Sequence, residues 1–174
     1  MQNTIATIIG VLATIIFVSS YQLKKRNHII ICNTSSRVLY VIQYLLLGAF
    51  SGAVLDVVGV FAAMIAQKKN SPFIKKFFIP VVIVVNAIII GAGLILYKTP
   101  IDILPIVGVI FQIGAFWMTK EKHIRIISLL SCPFWFSYNF ISGAYGSCLG
   151  DVTSFISITV AIFRYDILKR EEKK

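Results

Sequence analysis

Arg37, Asp56 and Asp151 are the charges least compatible with their surroundings, because each lies within a long apolar stretch. An arginine at the centre of a membrane helix costs about 2.5–3.5 kcal/mol on insertion scales, so it persists only where it pairs or meets water. Asp56, nearby in the chain, and Asp151, in its second half, are the candidate partners for Arg37. One reading is a structural ion pair that fixes helix packing, or an aspartate sitting in water at the outer interface. The other is a set of charges that line a solute path near the midplane, tuning its charge or gating its outer side. If Asp56 or Asp151 titrates during a transport cycle, the path becomes proton-linked.

A second constellation is aromatic and amide. Tyr40, Gln43 and Tyr44 stand at helical spacing, and Trp135, Tyr138 and Asn139 stand at the same spacing further on. Residues three and four apart share a helix face. Each set offers rings together with an amide or hydroxyl, the combination that stacks on and hydrogen-bonds a planar or ring-shaped polar solute. The competing reading is helix packing, with rings between helices and amides on neighbouring backbone. Gln112 and Asn86 are lone amides in apolar surroundings, read as interhelical hydrogen bonds. Pro105 opens one apolar run and Pro133 interrupts another, as a hinge or a static kink.

No residues suggest catalysis. The glycine-rich stretches lack a P-loop lysine, and no nucleophile elbow or Ser/His/Asp set appears. His28 and His123 sit beside lysine and arginine, which disfavours metal binding, and both read as interfacial residues. Cys32, Cys132 and Cys148 have no C-x-x-C spacing and read as small apolar fillers. No cofactor or metal is expected.

What must position these residues is a duplicated helical unit. Residues 24–66 recur without a gap at 119–161, an offset of 95 with ten identities. His28 falls on His123, Gly48-Ala49 on Gly143-Ala144, Asp56-Val57 on Asp151-Val152, and Tyr40 on Trp135. Seven apolar spans can be drawn, near 4–22, 28–47, 51–67, 74–97, 101–119, 124–142 and 147–165, each about long enough to cross the ~20-residue hydrocarbon layer. Three spans per copy with one between return the chain to its starting side, which predicts a parallel repeat about an axis along the membrane normal. Glycine-rich turns at Gly48–Gly52 and Gly143–Ser147 close the outer hairpins, and both halves carry weak small-x-x-x-small matches there.

Composition agrees. Hydrophobic residues make up 57% of the 174 and charged residues only 14%, a mix that would aggregate as a soluble domain. The net charge of +10 does not indicate nucleic acid, because the charges sit at the ends of spans. With seven spans, 15 of the 17 Lys and Arg fall on one side, leaving Lys98 opposite and Arg37 inside. The positive-inside rule then puts the N-terminus outside and the C-terminus in the cytoplasm, with the basic loops on anionic headgroups. Met1-Gln2-Asn3-Thr4 lacks a basic n-region, so the first apolar run is expected to be a retained helix.

Pro100-Ile-Asp-Ile-Leu-Pro105-Ile-Val-Gly108, then Trp135-Phe-Ser-Tyr-Asn139-Phe with Gly143, and Arg164 closing the last span, resemble the YgjV family of bacterial inner-membrane proteins. Gln43-Tyr-Leu-Leu-Leu-Gly48 and the acid at Asp151 also fit, and the resemblance spans about residues 8–166. It implies kinship with the PQ-loop/MtN3-like superfamily, which includes the SWEET sugar facilitators. The expected fold is then all-α: seven transmembrane helices as two parallel triple-helix bundles joined by a linker helix, 3+1+3. The bundles are residues 1–70 and 99–166, with a linker at 71–98 and a charged cytoplasmic tail at 167–174. In SWEET-like carriers tryptophan and asparagine hold the solute, so the resemblance carries that role to Trp135 and Asn139. The superfamily's proline-glutamine pair is missing; Tyr21-Gln22 stands at the inner end of the first span without a proline. The expected function is an inner-membrane carrier of a small polar solute such as a sugar, nucleoside or vitamin, working by alternating access and uncoupled unless proton-linked. Solute contacts would come from Trp135, Asn139, Tyr138, Tyr40, Gln43 and Tyr44. A homo-oligomer stays open, since relatives of this shape form trimers. The alternative is a non-transporting lipid-binding or assembly protein, with a dry interface of Leu and Ile between the bundles.

Overall fold

A computed structural model describes residues 2–168; the last residues of the expected cytoplasmic tail, 169–174, lie outside the described residues. The described chain is helical throughout, with eight α-helices and no strand. They are α1 (Gln2–Ser20), α2 (Arg26–Leu47), α3 (Phe50–Gln67), α4 (Pro72–Lys76), α5 (Phe78–Ile95), α6 (Ile103–Phe116), α7 (Glu121–Ile141) and α8 (Tyr145–Ala161). A 3₁₀ turn at Pro100–Asp102 leads into α6, and a π-helix at Ile162–Leu168 extends α8. By length and apolar composition α2, α3, α5, α7 and the continuous stretch Ser147–Leu168 can each cross a membrane. Thr4–Ser20 and Pro100–Phe116 are shorter apolar helices.

The fourth expected span, 74–97, is divided. Pro80 has no N–H to offer the Lys76 carbonyl and its ring crowds that turn, which favours a break there. Phe77 takes φ −112°, ψ 34° at the break, separating the short α4 from α5. Pro133, by contrast, is accommodated inside α7, which is continuous. Pro105 falls in the first turn of α6, where a missing N–H costs nothing.

Contacts close the helices into a ring. α1 packs on α2, α2 on α3, α3 on α6, α6 on α7, α7 on α8, and α8 returns to α1. α5 stands outside it, against α3 and α6. The outward face is apolar: Ile8, Leu12, Phe61, Ile83, Leu94, Leu149 and Phe155 are among its exposed large side chains. Such a surface is at home in lipid and a liability in water. Polar side chains gather inside the ring, where Asn33, Ser36, Arg37, Gln43, Asp56, Gln112, Ser128 and Asn139 are all buried. In hydrocarbon, polar groups persist where they find partners within the protein.

The basic loops sit at one end of the ring and the tight turns at the other, the basic end and the turn end below. Both turns are built alike. Gly48 and Gly143 are the only described residues with positive φ, at 71° and 73°. Ala49 N–H bonds to the Tyr44 carbonyl and Ala144 N–H to the Asn139 carbonyl, at 2.9 and 2.8 Å, while each glycine N–H bonds three residues back. This is the Schellman ending, and it needs a left-handed residue. Gly48→Ala and Gly143→Ala should each destabilise the fold by about 1–2 kcal/mol, since no larger residue takes that backbone freely. Gly91, inside α5 with open space where a Cβ would sit, is the control. Gly91→Ala should be neutral or raise the melting temperature in detergent.

Candidate functional site

A cavity of about 30 Å³ lies inside the ring. α2 supplies Arg37, Tyr40 and Tyr44, α3 supplies Asp56, α7 supplies Trp135 and Asn139, and α8 supplies Asp151. Phe17 of α1, Gln112 of α6 and Ser147 of α8 complete the wall. That volume holds one or two waters, so in this conformation the site is too tight for a metabolite. Asp56 and Asp151 lie six residues from the turn-end starts of α3 and α8, which puts the cavity toward the turn end.

Seven of the nine residues singled out in the sequence therefore converge. Gln43 and Tyr138 do not. A helix turns by about 100° per residue, so positions i+3 and i+4 from Tyr40 or Trp135 point to different sides of the same face. Tyr44 and Asn139, at i+4, enter the cavity. Gln43 and Tyr138, at i+3, face neighbouring helices instead. Ser147 Oγ donates to Gln43 Oε1 at 3.1 Å, tying α2 to α8. The Tyr138 hydroxyl accepts from Gly52 N–H at 3.1 Å and shares a hydrogen bond with Ser51 at 2.7 Å, tying α7 to α3.

The charges are distributed unevenly. Arg37 Nη1 forms a buried, hydrogen-bonded ion pair with Asp56 Oδ1. Its guanidinium lies against Gly59 of α3, where an added Cβ would stand 2.8 Å from Nη1. Arg37 Nε has no partner among the described residues. Asp151 has no ion pair among the described residues, and receives Asn139 Nδ2–H at 2.8 Å. Asn139 Oδ1 in turn accepts the Tyr44 hydroxyl at 2.9 Å. The position 95 residues after Arg37 is Cys132, a buried thiol that carries no counter-charge for Asp151.

Aromatic rings form the remaining wall. Tyr44 and Trp135 lie nearly parallel, 15° apart with centroids at 6.4 Å, and Tyr40 stands 6.3 Å from Tyr44. The Tyr40 hydroxyl pairs with Thr14 Oγ1 at 2.9 Å. Trp135 rests on Gly108 of α6, where a Cβ would meet its indole nitrogen at 2.8 Å. Between cavity and basic end lies a hydrogen-bonded layer centred on Gln112. Its Nε2 donates to the Tyr21 hydroxyl at 3.1 Å and to Ser128 Oγ at 3.2 Å, and its Oε1 accepts from Ser131 at 3.0 Å. Asn33 Nδ2 joins at Tyr21, 3.2 Å away. The interhelical role expected for Gln112 is present, and Gln112 reaches the cavity as well. Asn86 bonds the Val82 carbonyl of its own helix at 2.8 Å instead of a neighbouring one.

Sequence reasoning missed the basic end. By sequence Arg26 and Arg125 rank with the loop charges, yet both are buried. Arg26 donates to the carbonyls of Ala66 at 2.8 Å, Phe116 at 2.6 Å and Met118 at 3.0 Å, clasping the ends of α3 and α6. Arg125 donates to the Tyr21 and Leu23 carbonyls at 3.4 and 3.2 Å and pairs with Asp166 at 2.9 Å, clasping the ends of α1 and α8. Helix C-termini present unpaired carbonyls that favour a cation, and a guanidinium fork can satisfy several at once. Arginine among the lysines of these loops was the available signal. Lys69 donates to the Trp117 carbonyl at 2.8 Å beside the first clasp. Burial, and then the Arg26 guanidinium, pushes the Lys69 ammonium down to about 8. His28 and His123 are exposed near this end.

Removing one member of the Arg37–Asp56 pair strands the other. Arg37→Leu should destabilise the protein by about 3–5 kcal/mol, whereas Arg37→Leu with Asp56→Leu should recover most of that loss. Unfolding in detergent across this double-mutant cycle gives the coupling. Gly59→Ala should fall between wild type and Arg37→Leu, by pushing the guanidinium off its carboxylate.

The family model Imp-YgjV, described as a bacterial inner membrane protein, matches residues 4–169. No curated protein and no solved structure gives a match. With the match covering almost the whole sequence, and with several helices able to span a bilayer, the chain belongs to the Imp-YgjV family of bacterial inner membrane proteins.

Proposed function

We propose that the protein is a carrier that moves a small polar solute across the inner membrane by alternating access. In this reading α1–α3 and α6–α8 are two parallel three-helix bundles, α4 and α5 are the linker between them, and the arrangement is the 3+1+3 of SWEET-like and PQ-loop proteins. The basic end faces the cytoplasm, with the N-terminus outside, following the positive-inside rule. Transport is uncoupled, or proton-linked through an aspartate, and the protein is not an enzyme. A sugar, nucleoside or vitamin suits an aromatic and amide wall.

One observation carries this reading. The Tyr44 hydroxyl donates to Asn139, and these two residues are each other's counterparts at the 95-residue offset. A side chain meets its own counterpart only on the axis that relates two halves. Other features agree. α2 and α7 begin 95 residues apart, as do α3 and α8. The counterparts Gln43 and Tyr138 brace against Ser147 and Gly52, which are counterparts too. Exchanging the two bundles maps the α3–α6 contact onto α8–α1, and one arginine clasps each of these seams at the basic end. The inner wall is aromatic and polar instead of the Leu and Ile of a dry assembly interface, which favours a carrier over the non-transporting alternative.

With Ser147 near the turn end and Ser128 in the Gln112 layer, single cysteines at these positions, in a background lacking the native ones, read the two sides of the path. A membrane-impermeant maleimide should label Ser147→Cys from outside and leave Ser128→Cys protected. Adding Arg26→Ala and Arg125→Ala should open the basic end, raising labelling at position 128 from the cytoplasmic side several-fold and lowering it at 147. Labelling that stays unchanged at both positions would remove the alternating-access reading.

A further inference from the structure

Asp151 faces two spaces. It lines the central cavity and also a lipid-facing groove between α7 and α8, of about 390 Å³. The groove is apolar, walled by Leu129, Pro133, Phe136, Val152 and Phe155. Cys132, at the place where the first half has Arg37, also lines it. In the first half an arginine fills the corresponding place and neutralises Asp56. In the second half the carboxylate has only the Asn139 amide, and open space lies beside it.

We propose that this site binds an organic ammonium cation bearing an apolar substituent, with the charged nitrogen on the Asp151 carboxylate and the substituent in the α7–α8 groove. Charge supplies the first argument. Arg37 and Asp56 cancel, so Asp151 is the remaining charge of the cavity wall, and a carboxylate in low dielectric favours a cationic partner. The type of cation follows from the neighbouring atoms. Asn139 turns its amide N–H toward Asp151 while its oxygen is taken by Tyr44, so the carboxylate meets a donor and rings instead of the several oxygens a hard metal ion requires. Aromatic side chains flank it on both sides, Trp135 and Tyr44 in the cavity and Phe136 and Phe155 in the groove, and aromatic faces attract ammonium groups. Volume decides where the bulk goes. The cavity accommodates a water or two, whereas the groove is within the range of small-molecule pockets. The binding claim stands apart from transport; only its identification with the carried solute rests on the carrier reading.

The test uses the full-length protein in neutral maltoside micelles, with Trp117→Phe so that Trp135 emission reports on the site. Choline is compared with 3,3-dimethylbutanol, its uncharged carbon counterpart, and tetramethylammonium with benzyltrimethylammonium. Choline should bind at least about tenfold more tightly than the alcohol, a difference of about 1.4 kcal/mol. Benzyltrimethylammonium should bind more tightly than tetramethylammonium, and Phe155→Ala should shrink that preference. Asp151→Asn should abolish binding of all three cations and Asp151→Glu should restore part of it. Equal binding of choline and the alcohol on the unaltered site would mean apolar filling only, as by an acyl chain, and would overturn the proposal. So would cation binding that persists in Asp151→Asn. If no cation binds while cysteine labelling still alternates, the ammonium assignment falls and the carrier survives. If cations bind as expected and labelling does not alternate, the site stands and the carrier falls.

Discussion

A charge inside a membrane protein must be answered from within, because lipid offers it nothing. The Arg37–Asp56 pair is the strongest expression of that constraint here. It fixes α2 against α3, since the guanidinium must cross at Gly59, where any side chain would stand in its way. With α2 held, Tyr40 and Tyr44 face the centre, and the cavity takes its aromatic wall. At the positions 95 residues after Arg37 and Asp56 stand Cys132 and Asp151, so this second carboxylate has no arginine to answer it and is left facing space.

Backbone groups at helix ends obey the same rule by different means. At the turn end the chain satisfies itself: a glycine reverses direction and the following N–H groups return to the last carbonyls. At the basic end the carbonyls of α1, α3 and α6 are met by arginines from α2 and α7. One end is therefore closed by local hairpins and the other by ties between distant segments. Ties of that kind can be released without unwinding a helix. The cationic residues at this end thus both hold helix ends together and supply the charge asymmetry on which the orientation reading rests.

Much of this was legible in the sequence because it depended on local periodicity. Helices α2 and α7, like α3 and α8, begin at the spacing of 95 read in the sequence, and Gly48 and Gly143 marked turns that only left-handed residues allow. Arg37 and the two aspartates declared themselves by their cost in apolar surroundings. Chain spacing was a weaker guide to direction. Gln43 and Tyr138 share a broad face with their neighbours, yet sit a few tens of degrees round the helix from the cavity, and only the packing of α8 and α3 decides what they touch. Arg26 and Arg125 were hidden for another reason. Their partners are backbone carbonyls, which every residue carries, so beyond the arginines themselves no residue type in the sequence marks where they bind. The break at Phe77 followed from Pro80, but an apolar run on either side masked it.

α5 offers a contrast with all of these. It buries only Val85, Ile89 and Gly93, and its one amide is satisfied by its own helix. Nothing polar on it is owed to a partner. Natural variation should therefore fall unevenly along this polypeptide: apart from Gly93, where Ile106 leaves no room for a Cβ, α5 can drift through almost any oily alphabet of suitable length, while a single exchange at α2 or α7 reverberates through several crossings. A pairing of one permissive segment with six exacting ones would leave its imprint on any set of orthologues, as a window of rapid turnover bracketed by slow-changing stretches.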